Sequence, residues 1–179
     1  MRLFAASLLP ETLSEKIYEV SQAAARRFGA KAVAPENMHI TYKYFGDKDP
    51  ETCLKIVGNA VKNAESADIS AKGSGFFSRG GYAGVLWAGI CDENGLLNRI
   101  AANMGVSKES FMAHITMARF KNKGVKNAVL EKYISENSLK KKEFSFFALK
   151  SVCFMESFTD PCGAEYKVLE EFCLGKENA

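Results

Sequence analysis

Histidine is scarce in this chain: two residues in 179, beside one tryptophan and four prolines. Few prolines, no long Gly/Ser tract and no sustained run of one charge leave little that reads as disordered. Five cysteines (Cys53, Cys91, Cys153, Cys162 and Cys173) are odd in number and widely spread. None forms a Cys-x-x-Cys pair, which excludes a zinc ribbon or a disulfide framework and leaves free thiols in a reducing compartment. No apolar stretch nears the roughly 18 residues of a membrane span. The opening apolar stretch, Leu3 to Leu9, is followed by Pro10 and Glu11 rather than a small-residue cleavage site, so it reads as structure and not as a signal peptide. The expectation is a cytoplasmic protein with no membrane partner. No Gly-x-Ser-x-Gly occurs, which removes the common serine-hydrolase pattern. A net charge of +3 tolerates a phosphate-bearing ligand without announcing a large nucleic-acid footprint.

What is present is an ordinary globular composition, 47% apolar and 25% charged, of a length that suits one domain of two sharing lobes, residues 1–179. Residues 2–8 read as a buried strand. A helix opens at Pro10-Glu11 and runs to about Arg27, with Leu13, Ile17, Val20 and Ala24 inward. Residues 37–45 form a strand. Asp49-Pro50 caps a second helix with the apolar stripe Leu54, Val57, Val61 and Ala64. Strands at 67–77 and 82–90 flank a turn at Arg79-Gly80-Gly81. A short helix follows from Asn94 to Met104, then a strand at 112–120, and a helix from Gly124 to Glu136 with Val125, Val129 and Ile134 inward. The segments 143–156 and 164–174 read as two strands joined through Asp160-Pro161 and Gly163. The order implies an α+β fold: two pseudo-symmetric lobes, each a mostly antiparallel sheet with helices on its outer face, and a central cleft.

Both histidines lie in one repeated pattern. HITYKYF at 39–45 and HITMARF at 114–120 share His, Ile, Thr and Phe at matching positions. With five threonines in the chain, both histidines having Thr at +2 by chance is roughly a 1 in 1,000 event on composition. On a strand, His39 and Thr41 share a face, as do His114 and Thr116. Two imidazoles with ordinary pKa near ~6.5 can divide the work of base and acid at neutral pH. Two hydroxyls can hydrogen-bond the oxygens of a phosphate between them. Metal chemistry is poorly served, because no Asp, Glu or Cys stands at ligand spacing around the pair; no metal and no cofactor is expected.

The paired motifs make the chain resemble the two-histidine (2H) phosphoesterase superfamily. Within it the chain is most similar to the bacterial and archaeal RNA 2′,3′-cyclic phosphodiesterases, first described as 2′-5′ RNA ligases. The resemblance runs through MRLFAASLLPE, PENMHITYKYFGD, VLWAGI at 85–90, MAHITMARF, and Glu156-Ser157 with Tyr166. It implies metal-independent opening of a ribose 2′,3′-cyclic phosphate to a 2′-phosphomonoester. It makes His39 the acid that protonates O3′ and His114 the base that activates water. Thr41 and Thr116 then bind phosphate oxygens, Arg119 is the basic residue near phosphate and base, and Tyr44 is the platform on which a nucleobase stacks. The partner would be RNA ending in 2′,3′-cyclic phosphate, or a small cyclic nucleotide, and the protein a monomer. The same site could join 2′-5′ RNA ends, and a non-catalytic RNA-end binding module would keep the cleft.

Two departures matter. Ala113 stands where the family often has proline. Tyr44 and Arg119 each lie five positions after their histidine, so strict alternation turns them to the opposite face unless the strands end, twist or bulge. Elsewhere, Lys140-Lys141-Lys142 reads as a solvated turn, Arg79 as a hairpin tip and Trp87 as core.

Overall fold

The computed structural model describes residues 2–160 and 163–175, without side-chain detail for residues 159, 160 and 163. Strand β1 (Arg2–Leu8) leads into helix α1 (Glu11–Phe28), which ends where Gly29 adopts the left-handed region at φ 62°. A short β2 (Lys31–Ala32) and a 3₁₀ turn (Pro35–Asn37) precede β3 (His39–Gly46). Helix α2 (Pro50–Val61) is capped by the Asp49 carboxylate, which accepts the Thr52 N–H at 2.8 Å. The hairpin of β4 (Ala67–Arg79) and β5 (Tyr82–Cys91) turns on Gly80 and Gly81, both at positive φ. Then come α3 (Leu96–Asn103), β6 (His114–Arg119), α4 (Asn127–Glu136), β7 (Glu143–Leu149), β8 (Ser151–Asp160) and β9 (Gly163–Cys173).

Every strand pairing among the described residues is antiparallel. The order is β7-β4-β5-β6-β3-β1-β8-β9, with β2 on β6. The middle of this sheet is its thinnest point: β3 and β6 meet at one pair, Ile40 opposite Ile115. With β2, five strands lie on the β6 side of that seam and four on the β3 side, and each side contains one His-x-Thr strand. Helices α1 and α4 pack on β4–β7, and α2 and α3 on the other half. The sheet cannot be flat. Six strand spacings put β7 and β8 about 29 Å apart in a flat sheet, yet only Lys150 separates them in the chain, a reach of at most about 7.6 Å. The two halves therefore fold toward one another.

The core lies between the sheet and the helices. Leu3, Ala5, Ile40, Tyr42, Leu86, Ala88, Ile115 and Met117 fill it from the strands, against Leu13, Ile17, Val57, Leu97, Ile100 and Leu130 from the helices. The alternate residues of β1, Phe4 and Ala6, belong to a separate small cluster with Cys153 and Met155 on the other face.

Three sequence expectations shift. The apolar run 143–156 is two strands in different halves, since unbroken β-prone residues give no sign of a change of sheet position. Helix α4 buries Leu130 and Ile134, one turn apart, and leaves Val129 half exposed at 51%. The α2 stripe is rotated to Cys53, Val57, Ala60 and Val61. Cys53, Cys91, Cys153 and Cys173 are free thiols; Pro161 and Cys162 lie outside the described residues. No described helix is long and apolar enough to cross a membrane.

Candidate active site

His39 and His114 open the two strands that meet at the seam. Continuing the Ile40–Ile115 register sets His39 across from Thr116 and Thr41 across from His114. The two isoleucines are fully buried toward the helices, so by alternation the histidines and threonines stand on the opposite, helix-free face. The local twofold thus runs through the isoleucine pair.

The two imidazoles are held alike. His39 Nδ1 lies 2.8 Å from the Asn37 carbonyl oxygen and His114 Nδ1 lies 2.7 Å from that of Met112, in each case two residues back along the chain. A carbonyl only accepts, so each Nδ1 carries its hydrogen and each Nε2 is the nitrogen free to exchange a proton. An aromatic ring stands edge-on to each at about 5 Å: Tyr166 to His39 (5.0 Å, 84°) and Phe77 to His114 (4.9 Å, 86°). Phe4 adds a tilted contact to His39 at 5.3 Å.

This apolar seating disfavours the charged ring. Burial lowers the His39 pKa to about 4, opposed by the Asn37 hydrogen bond and helped by the nearby positive charges of Arg119 and His114. The His114 pKa is lowered too, again chiefly by burial, with the Met112 bond opposing and Arg119 adding to the fall. Without a ligand, burial therefore biases both rings toward the neutral form.

Tyr44 and Arg119 do reach this face, and the reason is a matched pair of β-bulges. The β1–β3 register steps from Ala6–Thr41 to Ala5–Lys43, passing over Tyr42. The β5–β6 register steps from Trp87–Thr116 to Leu86–Ala118, passing over Met117. Each skipped residue lies three positions after its histidine, and each bulge reverses the alternation beyond it. Tyr44, 64% exposed, consequently lies 5.7 Å from the Phe4 ring that also touches His39. Arg119 bears electrostatically on both imidazoles and lies within hydrogen-bonding reach of the Tyr166 hydroxyl.

Trp87 is a correction. Its partner across the ladder is Thr116, so it stands on the histidine face, next to Phe77 at 5.9 Å. Its flat ring lies over Gly75, where a Cβ would meet it at 2.4 Å. Leu86 and Ala88 carry the core on that strand instead. Phe4, Phe77 and Tyr166 also join the site without having been assigned a place in it. An apolar strand such as β1 hides which of its faces is core, and Phe77 and Tyr166 come from strands remote in sequence. The lysine run is turn-like as expected: Lys140 pairs with Glu131, and Lys142 lies over the Phe144 ring. A cavity of about 700 Å³ lies between α2 and α3 around Asn59, Asn63, Arg99 and Asn103 and touches neither histidine. Among the described residues no three His, Cys, Asp or Glu side chains converge as a metal site would need.

Residues 8–87 match the family model described as LigT like phosphoesterase. The chain is 31% identical to the RNA 2′,3′-cyclic phosphodiesterase of Methanocaldococcus jannaschii, over 96% of this chain and all of that one. It is 31% identical to the protein of the same name from Archaeoglobus fulgidus, over 96% and 99%. The fold resembles that of TT0787 from Thermus thermophilus (TM-score 0.78, 23% identity, 99% and 100% covered) and of Escherichia coli LigT in apo form (0.75, 19%, 98% of each).

Proposed function

This chain belongs to the LigT-like phosphoesterase family, and on that premise we propose that it opens RNA 2′,3′-cyclic phosphate ends to 2′-phosphomonoesters by acid–base catalysis between its two histidines. The observation that carries the reading is the matched seating of His39 and His114, each fixed through Nδ1 with Nε2 free on a common face.

The neutral Nε2 of His114 takes a proton from water as the water oxygen bonds to phosphorus. The P–O3′ bond breaks, and protonated His39 gives its proton to the departing O3′. The ribose keeps its phosphate on O2′ and regains a 3′-hydroxyl. Each transfer is worth about 10²–10⁴-fold in rate. Thr41 and Thr116 donate to the non-bridging oxygens, where charge accumulates. Arg119 adds a permanent positive charge beside them, and the exposed Tyr44 ring stacks on the terminal base. The donor set supports metal independence, since among the described residues the imidazoles have no third His, Cys, Asp or Glu ligand beside them.

The low pKa of the empty His39 does not contradict an acid role. A bound phosphate brings negative charge to a poorly solvated ring and favours its protonated form. The test is incubation of purified protein, in EDTA, with an oligoribonucleotide ending in 2′,3′-cyclic phosphate. A 2′-phosphate product is expected; a 3′-phosphate product, or dependence on added metal, would overturn the proposal. Tight binding without turnover would make the chain an RNA-end binding module.

A further inference from the structure

Beyond the histidines, the strand that carries His114 ends at a second pocket. About 220 Å³ in volume, it is walled by Arg119, by Arg79 and Tyr82 of the β4–β5 hairpin, and by Lys121 and Lys123 of the loop after β6. Among the described residues four cations and no carboxylate line it, in a chain whose whole net charge is only +3. None of the four is in an ion pair with a carboxylate among the described residues. So small a space is narrower than the Debye length of about 8–10 Å, so their fields add within it.

The backbone that carries these cations is fixed in place. The loop that carries Lys121 and Lys123 is tied to the hairpin at both ends. Phe120 N–H donates to the Gly84 carbonyl (3.0 Å), Ala83 N–H to that of Val125 (2.8 Å), and Asn127 N–H to that of Gly81 (3.1 Å). The Asn127 amide also donates to the Ser78 hydroxyl at 2.7 Å. Between those ties Lys123 is held in the left-handed region at φ 57°, a conformation that lysine rarely adopts.

We infer that this pocket binds the backbone phosphates upstream of the reacting terminus, so that the substrate is an RNA chain and not a free cyclic mononucleotide. The inference rests on the function proposed above. A cyclic mononucleotide has one phosphate, and the histidine–threonine set engages it; nothing remains for a second cationic pocket. Arg119 belongs to both places. Along β6 it stands three residues beyond Thr116, about 10 Å at ~3.3 Å per residue, a distance that the next nucleotides of a chain can span. Guanidinium groups grip phosphate through paired N–H donors, the lysines add point charge, and the Tyr82 ring offers a face to an upstream base.

The test compares tetrauridylate ending in 2′,3′-cyclic phosphate with uridine 2′,3′-cyclic phosphate, for the wild type and for the triple variant Arg79→Ala/Lys121→Ala/Lys123→Ala. The wild type should prefer the tetranucleotide in kcat/KM by about tenfold or more, the worth of one good charged contact. The variant should lose most of that ratio through KM. The log–log dependence of tetranucleotide KM on salt should become shallower by about 0.7 for each phosphate contact removed. Equal use of both substrates by the wild type, or an unchanged ratio and salt slope in the variant, would overturn the inference while leaving the proposed reaction standing. If neither substrate is opened, the proposed reaction fails instead. Fluorescence anisotropy with 5′-labelled tetrauridylate then decides the inference alone, by whether affinity drops in the triple variant.

Discussion

Binding of a phosphate should recharge His39. In the empty protein its pKa is lowered from 6.5 to about 4, which at 1.36 kcal/mol per pH unit is about 3 kcal/mol in favour of the neutral ring. At pH 7 roughly one molecule in a thousand then has the proton that a general acid must donate. A single negative charge 4 Å away, at an effective dielectric constant near 20, favours the imidazolium by about 4 kcal/mol. The two terms offset, so the complex should titrate near or above the ordinary imidazole value. The chain has only two histidines, so ring-proton NMR resolves both, and His114→Gln assigns them. The expected result is a His39 midpoint near 4 in the free protein, moving to about 6.5 or higher when saturated with 2′-AMP in EDTA. A free midpoint near 6.5, or one that stays near 4 in the complex, would refute the reasoning.

Arg119→Gln removes a positive charge that lowers both imidazoles, so both should titrate at higher pH than in the wild type. In the pH profile of kcat/KM both limbs should move alkaline while the maximum falls by about 10²-fold, as when one donor to a developing charge is lost; unmoved limbs would remove Arg119 from the site. Ile115 is fully buried at the Ile40–Ile115 pair that joins β3 to β6, and Ile115→Ala should cost about 2–5 kcal/mol in urea unfolding, with activity lost beyond what instability explains. Gly75→Ala would drive a Cβ into the Trp87 ring. It should cost about 1–3 kcal/mol as overpacking and shift the emission of the chain's single tryptophan.

The local rules of the chain were readable where one residue decides an outcome. Asp49-Pro50 marks a helix start, Gly80-Gly81 marks a hairpin, and His-x-Thr at two places marks a shared face. Tyr44 and Arg119 were harder. Their spacing points them into the core, and only the bulges at Tyr42 and Met117 return them to the histidines. A bulge is a property of the pair of strands, and nothing in HITYKYF alone announces it. Trp87 misleads for a related reason: VLWAGI is apolar at nearly every position, so its two faces cannot be told apart until Thr116 lies beside it. The division of 143–156 between two halves of the sheet is likewise set by which partners β4 and β1 offer. The basic pocket assembles Arg79 with Lys121 and Lys123, about forty residues away along the chain, and therefore has no linear signature.

At the centre stands the claim that His39 and His114 work as an acid and a base on one phosphate. Its most direct test is the rate of 2′,3′-cyclic phosphate opening by His39→Ala and by His114→Ala, with circular dichroism to show that each variant is folded. Each should lose about 10²–10⁴-fold, and the double variant should lose little more than the slower single one, as residues that act as a unit do. A folded single variant within a few-fold of the wild type would contradict it.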